Sequence, residues 1–72
     1  MLTIGKYRAR KRMNQLGLSK DDIKVILRNG ARLPPTEGRM YKEFFLRGST
    51  YRVSYMVDED GDYILYGVSW CS

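Results

Sequence analysis

The chain has 72 residues, 43% of them hydrophobic and 29% charged, the proportions of a folded domain rather than of a disordered segment. That length allows a single domain, residues 1–72, which buries only about 60% of the surface its unfolded chain exposes, so its core must be economical. One cysteine and no histidine exclude an internal disulfide, a cysteine-based metal cluster, histidine-ligated zinc, and Cys-His or Ser-His-Asp nucleophilic catalysis.

Lys and Arg number 13 against 8 acids, for a net charge of +5. Their placement says more than their total. Residues 1–20 hold six bases and no acid, residues 21–52 hold seven bases and four acids, and residues 53–72 hold four acids and no base. A basic end of this density attracts a polyanion or an acidic partner. The competing reading is a solvated helix face. No apolar run approaches about 18 residues, so no membrane span is expected. Met1 to Lys6 lacks the apolar core and cleavage site of a signal peptide, which makes the cytoplasm the expected compartment.

The first element expected is a helix from about Gly5 to Leu16. Ala9, Met13 and Leu16 recur at helical spacing and form a narrow apolar stripe, with Arg8 and Arg12 beside it. Gly17 ends it. A second helix follows Ser19, whose hydroxyl and the acid at Asp22 have the spacing of a capping box. Ile23, Ile26 and Leu27 supply its buried face, and Asn29-Gly30 stops it.

Ala31 to Gly38, with Pro34-Pro35, reads as a loop that can hold a short edge strand. The period then changes from helical to two. Met40 to Leu46 reads as a strand with Met40, Phe44 and Leu46 on one side and Tyr41, Glu43 and Phe45 on the other. Thr50 to Val57 is a second strand, with Tyr51, Val53, Tyr55 and Val57 opposite Arg52 and Ser54. Asp58 to Asp62 contains an Asp-Gly hairpin signal. It lacks the 12-residue frame of a calcium loop and reads as a solvated turn. Tyr63 to Trp70 is the third strand, with Ile64, Tyr66, Val68 and Trp70 assigned to one face. The fold expected is α+β: two N-terminal helices packed on a three-stranded antiparallel meander, the other face open or covered by a partner.

Arg8, Arg12 and Arg52 are the residues most suited to hold phosphate, because a guanidinium offers a planar fork of donors. Each also has a plainer reading. The helical arginines can cover apolar surface with their stems, and Arg52 can simply face water. Six tyrosines are the other compositional excess. Tyr51 and Tyr66 are candidates for base stacking or for orienting a 2′-hydroxyl, against the alternative of sheet packing. Lys42 is a further candidate for charge stabilisation, and Lys11 for phosphate contact.

Arg8-Ala9-Arg10-Lys11-Arg12-Met13, followed by Gly17-Leu18-Ser19, Asp22-Ile23, Asn29-Gly30 and a later Arg52-Val53 pair, resembles the signature of a small bacterial family of unknown function. That signature opens His-Ala, then two free residues, then Arg-Met. Members of that family look like the compact toxins of toxin–antitoxin pairs, of the RelE and BrnT type. The resemblance implies two helices on an antiparallel sheet and a basic concave face that binds or cleaves RNA. It implies RNA, including ribosome-associated RNA, and an acidic antitoxin as partners. Arg8 stands where the signature has histidine, so a ribonuclease here would work without imidazole, without a metal and without a cofactor. Arg12, Arg52 and Tyr66 are its expected catalytic groups, and Arg8, Lys11, Arg12, Lys42, Tyr51 and Arg52 its expected nucleic-acid contacts. The alternative is a non-catalytic inhibitor or adaptor, a phage or mobile-element accessory protein, docking on a host protein through the basic helix. Homodimer formation through the exposed sheet is a third reading.

Overall fold

Apolar stripes place both helices on the same side of a sheet. The computed structural model describes residues 2–5 and 7–71. After β1 (Leu2–Ile4) come α1 (Tyr7–Leu16) and α2 (Lys20–Asn29), then β2 (Ala31–Thr36), β3 (Arg39–Leu46), β4 (Ser49–Val57) and β5 (Tyr63–Trp70). Ala9 and Met13 of α1 and Ile23, Ile26 and Leu27 of α2 are buried against Val53, Tyr55, Leu65 and Val68 of the sheet. Here α1 lies over β5 and β1, and α2 over β3 and β4.

The sheet corrects the expected fold. It has five strands in the order β1-β5-β4-β3-β2, with β1 parallel to β5 and the other pairs antiparallel. A three-stranded antiparallel meander is only its middle. The two helices carry the chain from the β1 edge to the β2 edge, and β2 to β5 return strand by strand until β5 reaches β1. β1 escapes local reading, and β2 is the edge strand that the Ala31–Gly38 segment was expected to be able to hold. β1 has three residues and becomes a strand only by pairing Leu2, Thr3 and Ile4 with Tyr63, Ile64 and Leu65. β2 contains Pro34 and Pro35, which lack N–H donors and are tolerated because β2 is an edge.

Gly5 is not helical. Its N–H donates to the Leu65 carbonyl at 2.9 Å, and a Cβ there would come within 2.7 Å of the Ile64 side chain. The helix expected from Gly5 therefore begins later, and Lys6 lies outside the described residues. A bulge corrects the assignment of β5 faces. Ser54 pairs with Gly67 and Tyr55 with Leu65, which leaves Tyr66 as an extra residue. Beyond it the alternation flips, so Leu65 and Val68 are buried under the helices while Ile64 faces away.

Local chemistry holds α2 firmly. Ser19 Oγ accepts the Asp22 N–H at 3.1 Å and Asp22 Oδ2 accepts the Ser19 N–H at 2.9 Å, completing the capping box. Arg47 then donates to both oxygens of Asp22, at 2.9 and 2.8 Å. It does so from a tight turn between β3 and β4 in which Arg47 and Gly48 both have positive φ, 48° and 83°, the geometry of a two-residue hairpin. The Arg47 guanidinium, with the Ser19 N–H second, holds the Asp22 carboxyl well below the usual carboxylate range. At the other end, Lys42 Nζ donates to the Leu27 carbonyl, one of the groups a helix leaves without an internal partner. No helix among the described residues is long and apolar enough to cross a membrane.

Candidate nucleic-acid interface

The sheet has a helix-covered face and an open one, and its period of two decides which residues each receives. Register places Arg39, Tyr41, Glu43 and Phe45 of β3 beside Arg52, Ser54 and Met56 of β4 on the open face. Glu43 and Arg52 are directly opposite each other across the β3–β4 ladder. Arg52 Nε and Nη2 donate to Glu43 Oε2 at 3.2 and 2.9 Å. The Glu43 carboxylate raises the Arg52 pKa above the ordinary arginine value. Oε1 of Glu43 accepts no hydrogen bond among the described residues.

Two shallow hollows meet at Tyr41 and Arg52, and Glu43 lines neither. One, of about 470 Å³, is bounded by Leu33, Pro34 and Thr36 of β2 with Tyr41 and Arg52. The other, of about 160 Å³, runs toward β5 and is lined by Tyr41, Arg52, Ser54, Gly67 and Ser69. Gly67 matters here because a Cβ would stand 3.2 Å from Ser54 Oγ. Farther along the face, Arg39 reaches across β4 and places its guanidinium carbon 5.5 Å from the centre of the Tyr66 ring.

Of the residues expected to carry chemistry, Arg52 and Tyr66 share this open face, while Arg12, Arg8 and Lys11 do not. They project from α1, whose buried side packs on the opposite face of the sheet. Arg8, Lys11 and Arg12 therefore do not form with Arg52 the single basic concave face that the resemblance implies. Arg12 donates to Gln15 at 3.3 Å, and Arg8, Arg10 and Lys11 have no acidic partner among the described residues. Tyr51 also lies on the helix-covered face, packed against the core. Lys42 lies there too, with its ammonium on the Leu27 carbonyl and 5.5 and 5.6 Å from the ring centres of Tyr55 and Tyr63.

Glu43 is the residue that sequence reasoning passed over. It is the sole acid within any of the five strands. Its even spacing with Tyr41 was legible, but its pairing with Arg52 depends on register. The acidic turn brings carboxylate oxygens of Asp58, Asp60 and Asp62 within 4.8 Å of one another. Asp58 Oδ1 there accepts the N–H groups of Asp60 and Asp62 at 2.9 Å, as a hairpin turn requires.

Comparison of the chain with models of protein families, with curated proteins and with solved structures finds no match.

Proposed function

We propose that this chain is an RNA-directed, toxin-like domain that binds and cleaves cytoplasmic RNA on the open face of its sheet, in the manner its resemblance to RelE-type toxins implies. The observation that carries the reading is the Glu43–Arg52 ion pair on the open face, whose guanidinium lines two hollows. Cleavage of RNA by its own 2′-hydroxyl needs a base for that proton and a cation for the charge that builds on the phosphate. In a chain without histidine, a strand carboxylate beside a guanidinium supplies both. Glu43 takes the 2′-hydroxyl proton, the freed oxygen attacks phosphorus, and the bond to the 5′ oxygen breaks. The products are a 2′,3′-cyclic phosphate and a 5′-hydroxyl, the latter protonated from water. Arg52 faces the phosphate oxygens, and the Arg39–Tyr66 pair offers a cation and an aromatic ring for the neighbouring nucleotide.

Incubation of the pure protein with single-stranded RNA tests this. Fragments ending in 2′,3′-cyclic phosphate are expected, and Glu43→Gln should lower their rate by roughly 10²-fold or more while RNA is still bound. Arg52→Ala should weaken binding and flatten its salt dependence. Intact RNA, with no salt-dependent binding at Arg52, refutes the reading.

One observation favours a second reading. The densest positive charge, Arg8, Arg10, Lys11 and Arg12, sits on α1, away from the open face, with no acid in the helix. A non-catalytic adaptor would use that surface to dock on an acidic antitoxin or host protein. In that case the protein leaves RNA intact, and charge reversal on α1 abolishes partner binding while Glu43→Gln does not.

A further inference from the structure

On the helix-covered side, a cleft of about 440 Å³ opens between α2, β3 and the β1–β5 edge, lined by Leu2, Lys24, Leu27, Arg28, Lys42 and Tyr63. Its polar groups are three cations and a phenol, and no acid lines it among the described residues. Lys24 and Arg28 stand one helical turn apart on α2, and Lys42 faces them from β3. Lys24 is only loosely compensated, since its nearest acid is Asp21 at 3.9 Å, itself 92% exposed. Arg28 has no acidic partner among the described residues. Lys42 is part-buried, and of its three ammonium donors one goes to the Leu27 carbonyl while the ring centres of Tyr55 and Tyr63 lie 5.5 and 5.6 Å away. Leu2, Leu27 and Tyr63 supply an apolar floor.

We propose that this cleft is a binding site for a phosphate monoester carried on a compact apolar or aromatic body. Three cations lining one cleft with no acid among the described lining residues favour a dianion over a singly charged carboxylate, and the floor favours an ester over inorganic phosphate. The cleft is small beside a nucleic-acid groove. The site is independent of the RNA reading, because Glu43 and Arg52 lie on the other face of the sheet.

Phenyl phosphate titrated into the isotopically labelled 72-residue chain tests it by amide NMR. Saturable shifts are expected at Lys24, Leu27, Arg28 and Tyr63, with tighter binding than benzoate or inorganic phosphate shows. The double variant Lys24→Gln/Arg28→Gln changes two exposed side chains and should keep its melting temperature. It should weaken phenyl phosphate roughly tenfold or more. Shifts confined to α1 or the open face, binding no tighter than benzoate, or equal affinity in the folded double variant would each overturn the proposal.

Discussion

The two helices have ten residues each and pack on the same face of the same sheet, yet they are built to opposite rules. α2 opens on a capping box and two aspartates, which suit the positive end of its dipole, and is tied by Arg47 at its start and Lys42 near its end. α1 opens on Tyr7-Arg8-Ala9-Arg10, with no acid in its first turn and cations set against that same positive end. It is held by Ala9 and Met13 alone among its fully buried residues. α2 thus carries stabilising contacts at both ends, whereas α1 sets its cations against its own dipole.

That contrast can be broken at several points. Ile26→Ala, in the fully buried face of α2, should cost about 2–5 kcal/mol in denaturant unfolding. A much smaller loss would mean that the buried face of α2 contributes little to the fold. Lys42→Met should cost about 1–3 kcal/mol by stranding the Leu27 carbonyl. RNA binding on the open face should be unaffected by it. If that binding were lost in a protein of normal stability, Lys42 would belong to the RNA site after all.

Acid titration probes the other end of α2. The folded-state pKa of Asp22 is depressed by Arg47 and by the Ser19 N–H. The stability this supplies is therefore complete above the unfolded value of about 3.9 and is lost as pH falls below it. A melting temperature followed from about pH 6 downward should drop in that window, and Asp22→Asn should remove this part of the slope. An unchanged slope in the variant would exclude the Asp22–Arg47 tie as its source.

The smallest effect has the opposite sign. Arg10→Glu puts an acid near the start of α1 and should raise stability by about 0.3–1 kcal/mol. If α1 contacts a polyanion, the same change should weaken that binding most at low salt. Gain of stability with no loss of any binding would return α1 to the reading of a solvated face.

The helices were largely legible because their signals are local. Ser19 with Asp22, and the spacing of Ile23, Ile26 and Leu27, need no distant partner to be read. The face assignments on β3 and β4 were legible for the same reason, since alternation is a property of neighbours. The bulge at Tyr66 was not, because an extra residue in β5 exists only relative to β4. Grouping the arginines of α1 with Arg52 also failed, since composition records charge without saying which side of a sheet it occupies.

What residue order determined by itself was where the chain would coil, alternate and turn, along with the lack of imidazole chemistry and the basic opening segment. The tertiary structure decided that Leu2–Ile4 would close the sheet against β5, that Arg52 would meet Glu43, and that Lys42 would cap a helix. Periodicity and capping act over a few residues, whereas strand pairing and ion pairing join positions whose proximity is set only when the whole sheet assembles.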